Sequence, residues 1–464
     1  MQSEKLATRA EELAAFVVNS SYEDLSPAVR DQLKIKIVDA LACAFGALYV
    51  ETLRSIRQQV EEFGGNSLCS LIGGGRTAPD RAAFLNGALV RYLDFNDSYP
   101  AKGETCHPSD NLAPVLATAE YANATGRELL TALAIAYQVH CRLSDVAPVR
   151  DKGFDHTTQG AYAMAAGVSR ALALDQRKTA NAIAICGTAF NALRVTRTGT
   201  ISHWKGLAYP NAAFCCTHGA FLAMHGITGP PEVFEGNKGF MEAISGPFEI
   251  DWSREDLDRA GKTIVKKYNA EIHSQSAIEA LLELKREHGF GPADIEEIDV
   301  EIFDVAYKII GGGEEGDKTI VRTKEQADHS LPYILSVALL DGQVMPEQYR
   351  TERLLREDVQ KLLRRIRVHP VEDLSGRFPH EMPCRVHIRL QDGLVLTKEK
   401  SDYEGFHTRP IGWARIGAKF ERLTTPHIPA SHRSEIMSAV TRLEESDGKA
   451  LMTLLGKSLR TAAA

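Results

Sequence analysis

Apolar residues recur at three-and-four spacing through the first half of the chain. EKLATRAEELAAFVVN (4–19) and SPAVRDQLKIKIVDALACAFGALY (26–49) carry the pattern, the period of an amphipathic helix. Ser26-Pro27 supplies a cap and a helix-compatible proline at the second start. PDRAAFLNGALVRYLDF, NLAPVLATAEYANA, RELLTALAIAYQVHCRL, TQGAYAMAAGVSRALAL and RKTANAIAICGTAFNAL continue it. Gly126 reads as the stop between two of these helices. Their Ala and Gly content lets axes approach closely, as in a compact helical bundle.

The pattern changes near residue 262. DIEEIDVEIFD (294–304) alternates apolar residues with acids, mostly in a strand period, and RRIRVHPVED (364–373) reads as a second strand. CRVHIRLQDGLVLTKEKS (384–401) reads as a hairpin around Asp392-Gly393, the dipeptide favoured in a type I′ turn. Helical segments are expected at 274–288, 328–341 and 353–365, and again in HRSEIMSAVTRLEE and GKALMTLLGKSL. The expected class is therefore mainly α. It has a large all-helical domain at 1–262, an inserted smaller α+β domain at 263–402, and a segment at 403–464 packing back on the helical part. GGGR (73–76) and GGGEEGD (311–317) lack the context of a phosphate loop and read as turns.

Composition narrows the function. The 464 residues carry 54 Lys and Arg against 61 Asp and Glu, a net charge of −7, which disfavours a nucleic-acid or anionic-membrane partner. No run of about 18 apolar residues marks a membrane span. The acidic, amphipathic N-terminus lacks the parts of a signal peptide, so a cytoplasmic location is the default expectation. The eight cysteines show no CxxC spacing, which argues against zinc and iron–sulfur sites. Cys106, beside His107, is the thiol to watch, as a bystander more than as a nucleophile.

Polar residues crowd into LDFNDSYPAKGETCHPSDN (93–111). If the helix from Pro79 runs to Phe95, Asp94 faces the negative end of its dipole, at a cost of about 0.3–1 kcal/mol. Asp94, Asp97 and Ser98 would share one face of a further turn. Pro108 suits the start of a new helix, with Ser109 or His107 as cap. An acid at one helix end and a histidine at another helix start suit acid/base chemistry, and capping explains the same residues equally well. A rival reading takes Asp94-x-x-Asp97 as a magnesium–diphosphate motif of the terpenoid-synthase kind, but no second metal-binding motif accompanies it. Elsewhere, Lys205 and His156 each precede an Ala-rich helix. Lys266, Lys267 and His273 lie at the domain junction, a common place for ligand pockets. HExxH is absent.

Taken in order, LDFNDSY, HPSDNLAPVLATAE, GFDHTTQGA, WKGLAYPNAAFCCTHGAFLA, KKYNAEIHSQSAIEA and DHSLPYILSVALLDG resemble the MmgE/PrpD family over nearly the whole chain. The resemblance implies an all-helical domain rejoined by the C-terminal tail, an α+β lid domain, a homodimer, and an active site without metal or cofactor. It implies a small polycarboxylate substrate and a lyase. The leading reading is elimination of water as in 2-methylcitrate dehydratase. The alternatives are cis-aconitate-type decarboxylation and iminodisuccinate-type epimerisation.

Carried onto this sequence, the family's motif residues are Asp94, Ser98, His107, His156, Lys205, Lys266 and Tyr333. Asp94, His107 and Lys205 are the expected catalytic residues. Ser98, His156, Lys266 and Tyr333, with His273 at the junction, are the expected substrate-binding residues. Clustered cations would bind carboxylates and steady the negative charge that builds when a proton leaves beside one. SYPAKGETC departs from the TWLAAEWG of methylcitrate dehydratases, and Asn269 stands where a proline is usual. The first departure lies where substrate choice is expected.

Overall fold

The computed structural model describes residues 7–199, 201–313 and 316–458. The start of the first expected helix, residues 314–315 of the second glycine-rich stretch, and the last residue of GKALMTLLGKSL lie outside the described residues. Helices make up 59% of the chain, so the mainly α expectation holds. Two compact units are present. One is built from residues up to 196, 204–263 and from 412 on; the other from 197–203 and 264–411.

The first unit is helical. Its main elements are α1 (Arg9–Asn19), α2 (Pro27–Gly46), α3 (Glu51–Phe63), α4 (Pro79–Tyr92), α5 (Leu112–Ala122), α6 (Gly126–Val146), α7 (Thr157–Ala171), α8 (Gln176–Ala189) and α9 (Ala208–Met224). Helices Trp413–Thr424, Ala430–Thr441 and Gly448–Leu455 complete it. The starts follow local chemistry. Ser26 Oγ accepts the Val29 N–H at 3.3 Å, and Thr125 forms a reciprocal capping box with Glu128 at the head of α6.

Gly126 therefore opens a helix and does not stop one. The stop is Asn123, which ends α5 in the left-handed conformation at φ 53°, a conformation Asn tolerates. Small residues let the helices close up as expected. A Cβ on Gly160 of α7 would lie 2.5 Å from Tyr209 Cε2 on α9, so only glycine leaves room for that ring.

Among the described residues, two short strand pairs lie outside the predicted helices. β1 (Cys69–Ser70) pairs with β2 (Arg76–Thr77) across the GGGR turn, and β3 (Tyr99–Pro100) pairs with β4 (Thr105–Cys106). The second pair turns SYPAKGETC from an open loop into a braced hairpin.

The second unit holds β5 (Ile295–Ile302), β6 (Ile366–Pro370), β7 (Cys384–Leu390) and β8 (Val395–Lys400), in the order β6–β5–β7–β8. β5 runs parallel to β6 and antiparallel to β7. A register shift between Ile295 and Glu297 explains why Ile295 and Ile298 are both buried despite their odd spacing. Helices Gln275–His288 and Leu331–Asp341 contribute to the same apolar core.

The β7–β8 turn differs from the expected type I′. Leu390 N–H bonds to Leu394 O, and only Gly393 has positive φ (89°). The loop therefore has three residues and a glycine in the left-handed position, the next hairpin class. A type I′ turn would need positive φ at Asp392 as well.

Candidate active site

Helix α4 ends at Tyr92, earlier than expected, and Asp94 lies just past it. Asp94 has φ 53°, left-handed for a residue with a side chain, and its N–H bonds to Arg91 O at 3.0 Å. Asp is among the few non-glycine residues that visit this region, and such positions cluster at functional sites. The corrected placement takes Asp94 off the helix face that would have aligned it with Asp97 and Ser98.

Its carboxylate is buried between cations. Arg91 Nη1 donates to Oδ1 at 2.6 Å, and Lys205 Nζ donates to Oδ2 at 3.3 Å. Lys205 comes from the 3₁₀ turn His203–Gly206 and is buried. Arg91 also faces Asp110 Oδ2 at 3.4 Å. Burial alone would lower the Arg91 guanidinium, but Asp94 and Asp110 overcome it and raise it.

Asp97 serves structure. Oδ1 accepts the Ser109 N–H at 3.0 Å and Oδ2 accepts the Tyr137 hydroxyl proton at 2.8 Å. Asn96 Nδ2 donates to Ser109 Oγ and Asp110 Oδ1 at 2.9 and 2.8 Å. These bonds tie the exit of α4 to the start of the next segment. They also displace the expected caps: Pro108–Asn111 is a 3₁₀ turn and neither His107 nor Ser109 caps it through its side chain. An Asp94-x-x-Asp97 magnesium site finds poor support, since one carboxylate faces Arg91 and Lys205 and the other is bonded to protein donors.

His107 is buried beside Ser98, where the two strands of the β3–β4 hairpin begin and end. Its Nδ1 lies 2.8 Å from Asp97 O and 3.0 Å from Ser98 Oγ. A carbonyl only accepts, so neutral His107 carries its proton on Nδ1 and its lone pair on Nε2. The ring meets His156 edge-on, with centroids 5.4 Å apart. His156 stacks in turn on His140 and Tyr209 at 5.8 and 5.7 Å. Asp155 accepts the Thr157 N–H and hydroxyl and fixes the head of α7.

The structure thus brings Asp94 to Lys205, and His107 to Ser98 and His156. Arg91, His140 and Tyr209 were missed, while Asn96 and Asp110 were read only as part of the polar stretch. Only Arg91 had a local signal, its i,i+3 spacing to Asp94. Glu104 was missed too. It is buried in the hairpin turn, with Oε2 accepting the N–H groups of Val149 and Arg150 at 3.3 and 3.0 Å. Burial, then the charge of Asp155, pushes it up to about 7. Cys106 is buried with Tyr99, Ala101 and Cys141. Burial alone would raise its thiol, but Cys141 and then His140 bring it down to about 6.

Lys266, His273 and Tyr333 belong to the second unit. Glu271 organises two of them. His273 Nδ1 lies 2.7 Å from Glu271 Oε1. Burial alone would raise Glu271, but His273, and then His329 and Lys266, hold it down to about 2. His273 itself lies edge-on to Phe303 and Phe378 and is 1% exposed, so its place is beside Glu271 in the core. Tyr333 is fully buried and gives its hydroxyl proton to Gln348 O. His273 Nδ1 and the Tyr333 hydroxyl thus each face a protein partner.

The model of the MmgE/PrpD N-terminal domain matches residues 11–253, and that of the MmgE/PrpD C-terminal domain matches 268–445. Cis-aconitate decarboxylase from Mus musculus is 24% identical over 479 residues, covering 97% of this chain and 94% of its own. 2-Methylcitrate dehydratase from Cupriavidus necator is 27% identical over 390 residues, 78% of each chain. 2-Methylcitrate dehydratase from Escherichia coli K12 is 27% identical over 357 residues, 73% of this chain and 72% of its own. No described helix is long and apolar enough to cross a membrane.

Proposed function

Because the chain belongs to the MmgE/PrpD family, we propose that it is a lyase that removes water from a small hydroxylated polycarboxylate of the 2-methylcitrate kind. Relatives that are dehydratases and decarboxylases support the lyase class. The observation that carries the reaction is that one unit holds both a directed histidine and a buried Lys205–Asp94 ion pair.

His107, with Nδ1–H held by Asp97 O, presents Nε2 as the base that takes the proton beside a carboxylate. The electron pair left on carbon forms the double bond as the hydroxyl on the neighbouring carbon departs. Lys205, held by Asp94, gives that hydroxyl a proton, so it leaves as water. The proton on His107 then restores Lys205. His156 and Ser98 would hold the substrate against this pair.

A second reading is decarboxylation of a cis-aconitate-like substrate. It draws on the decarboxylase relative that covers 97% of this chain. The test incubates the protein with 2-methylcitrate, citrate and cis-aconitate, and follows ultraviolet absorbance of a new conjugated alkene alongside released carbon dioxide. Alkene without carbon dioxide supports the dehydratase. Carbon dioxide moves the assignment to the decarboxylase, and neither product removes both.

A further inference from the structure

Residues from 412 onward return to the helical unit, and one of their side chains reaches the backbone beside Asp94. Lys419 stands on helix Trp413–Thr424, which packs against α2. Its Nζ donates to Phe95 O at 2.7 Å and lies 2.6 Å from Asp39 Oδ1. It also sits 3.6 Å from the centroid of the Phe95 ring. Asp39, on α2, is fully buried, and the Lys419 side chain is 8% exposed.

A buried ion pair is a costly way to join two helices, since apolar packing does the same at less desolvation cost. What an apolar residue cannot do is donate to a carbonyl. The carbonyl chosen belongs to the residue directly after Asp94, whose φ of 53° is unusual for a side chain. Upstream, Asp94 N–H is held by Arg91 O at 3.0 Å. Downstream, Phe95 O is held by Lys419. The backbone is therefore clamped on both sides of Asp94 by bonds that do not involve its carboxylate.

We propose that Lys419, braced by Asp39, is a positioning residue that keeps Asp94 in its left-handed conformation and so holds its carboxylate against Lys205. The proposal rests on reading the Asp94–Lys205 pair as part of the active site. Its rival is a plain tether for the C-terminal segment. The structure supplies a control for that rival: Lys34 Nζ on α2 bonds Glu444 Oε1 at 3.0 Å and Thr441 O at 3.2 Å, joining the same segments without touching residue 95.

The experiment compares Lys419→Met, Lys419→Arg and Lys34→Met in the full chain. It records kcat and KM on the polycarboxylate the wild type turns over, thermal melting, and hydrogen exchange of the peptide spanning 91–98. Lys419→Met should lower kcat by about ten- to a hundredfold, the scale expected when a catalytic group is misplaced, with little change in KM. It should also speed exchange in 91–98, and Lys419→Arg should recover part of both. Lys34→Met should lower melting only. The proposal is overturned if Lys419→Met and Lys34→Met behave alike, or if exchange in 91–98 is unmoved. If the wild type turns over no polycarboxylate, the functional reading fails separately, and the exchange measurement still decides whether Lys419 holds Asp94.

Discussion

Lys205 Nζ lies 3.3 Å from Asp94 Oδ2 across 111 positions of sequence, and both side chains are buried. Each is the other's counter-charge. Arg91 also holds Asp94, at 2.6 Å, so breaking the pair from one side should cost at most about 3–5 kcal/mol, the figure for an isolated buried pair.

Asp94→Asn keeps a residue that tolerates positive φ and removes the charge. It should lower stability by that order and abolish most activity. Asp94→Asn combined with Lys205→Met should be less destabilised than the two single costs added, because both changes remove the same interaction. Chemical denaturation of all three variants checks this, and strict additivity would break the coupling.

His107→Gln should lower kcat by roughly 10²–10⁴-fold, the range for a general acid or base. Ser98→Ala leaves the Nδ1 bond to Asp97 O at 2.8 Å intact, so the tautomer survives. Its loss should be smaller and fall mostly on KM. Steady-state kinetics of both variants separate the roles.

Glu104 links pH to stability. Its carboxyl is pushed up to about 7 from a usual 4.5, so the folded state holds the proton more tightly than the unfolded chain. Stability is then highest below about pH 4.5 as far as this group is concerned. It falls as pH rises toward 7 and levels off above. Glu104→Gln retains an oxygen for the Val149 and Arg150 N–H groups. It should be more stable than wild type at pH 8 by up to roughly 3 kcal/mol, with the advantage shrinking toward pH 5. Melting curves across that range decide it, and a pH-independent difference would count against the linkage.

Gly160→Ala should destabilise by about 1–3 kcal/mol, the usual cost of overpacking, because its Cβ would overlap the Tyr209 ring at 2.5–2.7 Å. Tyr209 stacks on His156, so kcat should fall beyond what the stability loss explains. Wild-type kcat in a folded Gly160→Ala variant would uncouple Tyr209 from the site.

Much of this was legible in the chain. The helices were, because Ser26 and the apolar periodicity act within a turn or two of themselves. The order of motifs brought in the family. What failed to show was set by distant partners. Asp94 extends the helical pattern on paper, yet the chain turns left-handed there among Arg91, Lys205 and Lys419. Asp392-Gly393 suggests a two-residue turn, whereas β7–β8 pairing places Leu390 opposite Leu394. Glu104, His140 and Tyr209 stand in ordinary local contexts and gain meaning only where segments far apart in sequence meet. His273 and Tyr333 sit in motifs that fit the resemblance, but packing gives their polar groups to Glu271 and Gln348.

The return of the C-terminal segment has a consequence for synthesis. The second unit draws almost wholly on residues 264–411, a continuous stretch that can collapse as it emerges from the ribosome. The helical unit begins first and finishes last. Gly126 N–H waits for Ser446 O, and Asp39 waits for Lys419. Until those residues emerge, the Ala-rich helices hold unfinished apolar surface. The nascent chain is therefore most exposed to aggregation in its oldest part, and a pause in translation before residue 412 would lengthen that exposure.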